Sequence, residues 1–369
     1  MQDAAVWQFS LNALHAAAWG GSLLVALVVF ARYLRLRTLV IAATVVTLGL
    51  VMLGAYVRLT DAGLGCPDWP GCYGKLSPSH AAAEIRAAEA VAPAGPVSLP
   101  KAWSEMLHRY FASFVGVIIV AIAWQTLRRR LRDNPGADDP SAQVGLPLAL
   151  VGLVILQGLF GKWTVTLLLK PAIVTLHLLG GMVLVALLAW LTARHLGISG
   201  GQPSTLRAIR PWVVVGVVIL GAQIALGGWV STNYAALACV DFPTCHGEWA
   251  PEMDFGHGFH FFRELGMTAE GGALSNQALN AIHWAHRVGA LVTLAYLAVL
   301  GHSAMRLRGL RRFGIAVLVL LLIQVMLGIA NVLASLPLLV AVAHNGVAAL
   351  LLAALVMLNF AAYSPSSFR

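Results

Sequence analysis

Residues 54–78, GAYVRLTDAGLGCPDWPGCYGKLSP, and residues 227–251, GGWVSTNYAALACVDFPTCHGEWAP, are two versions of one segment. At a constant offset of 173, Cys66, Asp68, Pro70, Cys72, Gly74 and Pro78 align with Cys239, Asp241, Pro243, Cys245, Gly247 and Pro251, and Trp69 with Phe242. Each copy follows an apolar stretch and precedes a His-Arg pair, His108-Arg109 or His286-Arg287. A loop repeated together with its flanks implies that the chain is two related halves.

Composition says what kind of halves. The chain is 59% hydrophobic and 11% charged, too little polar surface for a soluble protein of 369 residues. Apolar runs near 11–31, 39–57, 108–127, 145–168, 172–193, 211–230, 283–304, 313–335 and 339–361 each approach the roughly 20 residues needed to cross about 30 Å of hydrocarbon. The expected fold is an all-α polytopic membrane protein. It has two tandem four-helix repeats related by a pseudo-two-fold axis along the membrane normal, plus one extra N-terminal helix. The implied boundaries are 1–38 for the extra helix and a basic loop, 39–193 and 211–361 for the repeats, 194–210 for the linker between them and 362–369 for a tail.

The net charge of +9 does not indicate nucleic-acid binding, because its positions follow topology. Arg32/Arg35/Arg37, Arg128/Arg129/Arg130/Arg132, Arg194/Arg207/Arg210 and Arg306/Arg308/Arg311/Arg312 occupy every second connection. The positive-inside rule makes those connections cytoplasmic. The long loops 58–106 and 231–282 then face the periplasm of a bacterial inner membrane, and the C-terminus is cytoplasmic. The flank MQDAAVWQFS carries Asp3 and no basic residue, unlike a signal peptide, so 11–31 is retained as an extra helix entered from outside, the alternative being a segment that lies at the interface.

All four cysteines lie in the repeated loops, on the oxidising side. Two disulfides are expected, Cys66–Cys72 and Cys239–Cys245, either as staples or as redox centres. A second repeat signal lies in the spans. Gln157-x-x-x-Gly161 recurs as Gln324-x-x-x-Gly328 at an offset of 167, which also carries His177 to His344, and Gln223-x-x-x-Gly227 has the same form. Four-residue spacing puts Gln and Gly on one helical face, which reads as helix packing.

Of twelve histidines, His108, His177, His286 and His344 each open an even-numbered span of a repeat, two per half. Imidazoles on two facing helices are what a six-coordinate haem iron requires. His257 and His260 in the second loop lack acidic or cysteine partners at ligand spacing. The halves differ at one position: Glu105 precedes His108 by three residues, and His283 stands at the same place before His286, on one helical face with it. A carboxylate beside a haem handles protons, so the first site reads as reactive and the second as electron-transferring. Arg109 and Arg287, on the same helices, read as partners for haem propionates.

Taken together, Arg58-Leu-Thr, Gly63-Leu, Cys66-Pro-Asp-Trp-Pro-x-Cys72, Glu105-x-x-His108-Arg109, Thr175-x-His177-Leu, His286-Arg287 and Ala343-His344 resemble the haem A synthase family over about 39–361. The resemblance implies oxidation of the C8 methyl of haem O to a formyl group by successive hydroxylations, giving haem A for cytochrome c oxidase. It implies substrate haem O between His108 and His177, haem B between His286 and His344, and Glu105 as the catalytic residue. His283 is an alternative to His286 as ligand. Implied partners are the farnesyltransferase that makes haem O, oxidase assembly factors and membrane lipid, with homo-oligomerisation left open.

Two other readings use part of the same sequence. A membrane disulfide-generating oxidoreductase linked to quinone explains the cysteines but not the histidines. A non-catalytic dihaem b-type carrier or haem-delivery protein explains the histidines but not Glu105.

Overall fold

A computed structural model describes residues 34–133, 139, 142–200 and 206–364. The expected helix at 11–31 lies outside the described residues. Within them, eight helices are long and apolar enough to span a membrane: α1 Leu36–Leu59, α3 Leu99–Asp133, α4 Gly145–Thr166, α5 Pro171–His195, α6 Arg210–Thr232, α8 Asn276–Arg306, α9 Arg311–Leu333 and α10 Leu338–Tyr363. Short helices α2, Ala82–Val91, and α7, Phe255–Gly258, lie in the long loops. The chain is therefore a multi-pass membrane protein.

Local sequence sets the ends. Proline occupies the first turns of α5 and α6, where its missing N–H costs no hydrogen bond. Ser275 caps α8 by accepting from Ala278 N–H at 3.2 Å. Arg130 and Arg132, Arg194 and His195, and Arg306 fill the last turns of α3, α5 and α8, where they oppose the negative ends of the helix dipoles.

The duplication extends to backbone conformation. The turn after α4 sets Leu168 and Leu169 at φ 49° and 58°, and the turn after α9 sets Ser335 and Leu336 at 56° and 61°, again at an offset of 167. Non-glycine residues in this region cost about 1–3 kcal/mol each. Repeating the pair in both halves marks it as part of the inherited fold.

Each half closes on itself. In the first, α1 packs on α3, α3 on α4, α4 on α5 and α5 back on α1; in the second, α6, α8, α9 and α10 repeat that ring. The even members, α3 and α5 or α8 and α10, therefore stand diagonally across their bundles. The halves meet through α5 and α10, with α1 on α10 and α6 on α5. Trp190 and Phe360 form an edge-to-face pair at 5.0 Å in that seam, and Thr175 and Thr232 share a 3.0 Å hydrogen bond.

At the end of the seam nearest the long loops, equivalent positions touch each other. Arg58 donates to the Ser231 carbonyl at 2.5 Å and lies 3.9 Å over the Tyr234 ring, while Tyr234 OH donates to Asp61 at 2.7 Å. Ser231 is Arg58 plus 173 and Tyr234 is Asp61 plus 173, so these residues sit on the pseudo-axis itself.

Two helices begin well before the apolar runs that announced them. Runs at 108–127 and 283–304 become helices starting at Leu99 and Asn276. His108 lies nine residues into α3 and His286 ten into α8, whereas His177 and His344 each lie six residues into theirs. The extra turns carry Lys101, Ser104 and Glu105 in α3 and Gln277 and Asn280 in α8. These polar residues make the helices look shorter in hydropathy, and some of them hold the loops.

Candidate functional site

The repeated loops are held together by their own residues. In each, the aspartate carboxylate accepts two successive backbone N–H groups: Asp68 from Tyr73 (2.6 Å) and Gly74 (2.7 Å), Asp241 from His246 (2.6 Å) and Gly247 (2.9 Å). Gly74 and Gly247 follow a left-handed residue and are left-handed themselves, at φ 69° and 80°. The second cysteine pairs in both directions with the residue three on, Cys72 with Lys75 and Cys245 with Glu248. Cys66–Cys72 and Cys239–Cys245 are disulfides, and all four cysteines are buried. The Thr244 hydroxyl, with the Gly247 and His246 N–H groups, holds Asp241 below the usual carboxylate range.

The loops are then fixed to α3 and α8. Glu105, 5% exposed, accepts Cys66 N–H at 2.8 Å through one oxygen and pairs with Arg109 through the other. Arg109 donates further to the carbonyls of Asp68 (2.9 Å), Pro70 (3.2 Å) and Gly71 (2.5 Å). In the second half, Cys239 N–H donates to His283 at 3.3 Å, and Arg287 donates to the carbonyls of Thr244 (2.6 Å) and Cys239 (2.9 Å). Glu105 and His283 thus do the same local task, and so do Arg109 and Arg287. The guanidiniums, expected beside haem propionates, face loop carbonyls in this structure.

One turn below, the four imidazoles follow a common rule. Each is seated against a glycine of the preceding helix. A Cβ on Gly54 would stand 3.1 Å from His108 Cε1, on Gly161 3.7 Å from His177, on Gly227 3.0 Å from His286 and on Gly328 3.2 Å from His344. Three of these contacts are tighter than an ordinary van der Waals contact, so a methyl group would press on the ring. Within each half the two rings belong to one bundle, on helices that stand diagonally across it, α3 and α5 in the first and α8 and α10 in the second. Nδ1 of His108, His177 and His344 is buried without a partner.

That donor set suits a particular kind of metal. Among the described residues no three His, Cys, Asp or Glu side chains stand together for a bare ion. Two imidazoles from diagonal helices fit an iron that brings four ligands of its own, as a porphyrin iron does. In the second loop, His257 contacts Asp254 at 2.5 Å and Glu270 at 3.7 Å, an exposed arrangement that raises its pKa chiefly through the Asp254 hydrogen bond.

The family described as cytochrome oxidase assembly protein (COX15-CtaA) matches residues 37–356. A heme A synthase of Shewanella oneidensis is 40% identical over 325 residues, covering 88% of this chain and 95% of the relative. A heme A synthase of Halalkalibacterium halodurans is 30% identical over 63% of this chain and 72% of the relative. One from Sphingopyxis alaskensis is 28% identical over 85% of this chain and 87% of the relative.

Proposed function

The chain belongs to the cytochrome oxidase assembly protein family, and from that premise we propose that it is a haem A synthase, an oxidoreductase converting the C8 methyl of haem O to a formyl group. Each of two hydroxylations replaces a methyl C–H by C–OH with oxygen taken from water, releasing two protons and passing two electrons to an external acceptor; the resulting geminal diol loses water to give the aldehyde. His108 and His177 hold the substrate haem O, and His286 and His344 hold a resident haem B. A bound haem supplies the one-electron oxidising power that a methyl group without an acidic proton demands.

The protein's own residues do the rest. The glycine notches let each imidazole lie against the neighbouring helix, which fixes its approach to the bundle core. Glu105 holds a carboxylate one turn from His108, as the acceptor for protons released at the first site. Its contacts to Cys66 N–H and Arg109 orient it and tie it to the closed outer loop. The Cys66–Cys72 and Cys239–Cys245 loops cap the outer ends of the two bundles. The apolar helices around the first site give the farnesyl tail a dry environment.

One observation carries this reading: two imidazole pairs in duplicated bundles, only the first accompanied by an acid, with His283 at the equivalent position in the second. It favours a synthase over a symmetric dihaem carrier. The arginine-rich connections support a bacterial inner membrane location with the disulfide loops periplasmic. The partners are then the farnesyltransferase that makes haem O and the assembly factors of the oxidase that receives haem A.

Co-expression with a haem O source, followed by mass analysis of the extracted pigment, tests the proposal. Formyl haem is expected. Unchanged haem O in a haem-loaded protein refutes the synthase in favour of a carrier. A preparation that binds no haem but oxidises dithiols refutes both.

A further inference from the structure

The glycine notches repeat in all four helix pairs, but the residue one turn before the glycine does not. It is Gln157 before Gly161, Gln223 before Gly227 and Gln324 before Gly328, and Leu50 before Gly54. The Gln223 amide reaches His286 Nδ1 at 3.0 Å, and the Gln324 amide reaches His344 Nε2 at 3.2 Å. The Gln157 amide lies in space left by Gly180, three residues after His177, and the Gln223 amide lies in the same space at Gly289, three residues after His286. The corresponding residue after His108 is Phe111, 46% exposed. Around His108 both positions are apolar; Nδ1 of His108 and Nδ1 of His177 are both without a partner, but beside His177 the buried, unpaired amide nitrogen of Gln157 occupies the space that in the second half brings Gln223 onto His286.

An imidazole that binds a metal through one nitrogen carries its proton on the other, and an acceptor for that proton fixes the ring and raises its basicity. Gln223 and Gln324 each have a buried side-chain oxygen without a partner. Turning the amide over presents that oxygen to the ring N–H; which way an amide faces is set by its hydrogen bonds. At Gln223 the turn gives up a 3.1 Å bond to the His286 carbonyl, and Gln324 has no such bond to lose.

We propose that Gln157, Gln223 and Gln324 are positioning residues that brace His177, His286 and His344, and that His108, flanked by Leu50 and Phe111, is the unbraced ligand that yields its place on the iron. This rests on reading the four imidazoles as haem ligands. A resident haem is then held by two braced rings and keeps both, while the substrate haem is held by one braced ring and one that lets go. The first site opens its iron on the α3 side and releases its product, and the second does neither.

The test uses purified, haem-loaded protein and two probes, carbon monoxide on the ferrous form and transfer of haem to apomyoglobin. Gln223→Leu and Gln324→Leu are expected to release the resident low-spin haem about 10–100-fold faster than the unaltered protein. Gln324→Glu, which keeps an acceptor, is expected to restore slow release. Leu50→Gln is expected to slow carbon monoxide binding at the first site about tenfold or more, and Leu50→Met to leave it unchanged. Wild-type release from both leucine variants, or unslowed carbon monoxide binding in Leu50→Gln, overturns the proposal. His286→Ala and His344→Ala separate the two failures. If they lose the low-spin haem while the glutamine variants keep it, the bracing is wrong and the ligands stand. If they retain it, the ligand assignment falls and the bracing with it.

Discussion

Glu105→Ala removes the single group that joins the first disulfide loop to α3 through a side-chain carboxylate. Two interactions go. The Cys66 N–H loses its acceptor at 2.8 Å, and a buried N–H left alone costs about 1–3 kcal/mol. The Arg109 pairing goes too; with side chains 12% and 6% exposed it counts as buried, and breaking such a pair costs about 3–5 kcal/mol. Arg109 keeps three loop carbonyls, so its charge is not stranded and the full ion-pair cost does not apply; with that part reduced to about 1–2 kcal/mol the total is about 3 kcal/mol. Cys66 and Cys72 are fully buried, so a reductant reaches their disulfide only through loop opening. At 1.4 kcal/mol per decade, opening and hence reduction of Cys66–Cys72 rises about a hundredfold. Mass-tag alkylation after timed phosphine treatment reads this in the folded, solubilised protein. Cys239–Cys245 serves as internal control, because its loop is anchored through His283. Glu105→Gln keeps an acceptor for Cys66 N–H and gives a rise of about tenfold only. Equal reduction rates in the unaltered protein and Glu105→Ala refute the anchoring argument, and equal acceleration of both disulfides points to general unfolding instead. Haem A yield is measured in parallel. Glu105→Gln, with its loop largely held, is expected to retain haem and make no aldehyde.

Three further outcomes follow from the geometry. Gly227→Ala sets a methyl group 3.0 Å from His286 Cε1, and is expected to displace the ring and reduce the low-spin Soret band of the second site; an unchanged spectrum refutes the notch. Arg58→Ala removes a 2.5 Å bond between the halves and a cation over Tyr234, and is expected to cost about 1–3 kcal/mol in thermal or denaturant unfolding; no loss of stability refutes the latch. Asp241 has a depressed pKa in the folded loop, so its contribution is present above the ordinary carboxylate pKa and is lost only as pH falls through the folded value. Phosphine reduction of Cys239–Cys245, corrected for reagent protonation, is therefore expected to stay level from pH 7 down to about 4, and acceleration within that window refutes it.

The cysteine loops were legible because their geometry dictates residue type: an aspartate to gather two N–H groups, a glycine at positive φ, two cysteines to close the ring. The spans were legible for the same kind of reason, since hydrocarbon admits few polar side chains. The starts of α3 and α8 were not, because Lys101 and Glu105, and Gln277 and Asn280, interrupt hydropathy without interrupting the helix. Three of the four glycine notches stand in the sequence as Gln-x-x-x-Gly, a pattern that by itself reads only as packing. Spacing within one helix identifies a face but not what lies across from it, and here each face meets a histidine on the next helix. The two arginines were similarly ambiguous. Arg109 and Arg287 lie on the correct turn for either a propionate or a loop carbonyl, and the path of the loops brings carbonyls to both.

The contacts on the pseudo-axis bear on how such a chain came to be one polypeptide. In a symmetric pair of identical subunits, a residue on the dyad meets its own copy. Arginine would oppose arginine where Arg58 now meets Ser231, and aspartate would oppose aspartate where Asp61 now meets Tyr234. Fusing the copies frees each member to mutate alone, so like charges give way to a donor on one side and an acceptor on the other. The same freedom allows a carboxylate in one bundle and an imidazole in its twin, and thus a division of labour that no true homodimer can encode.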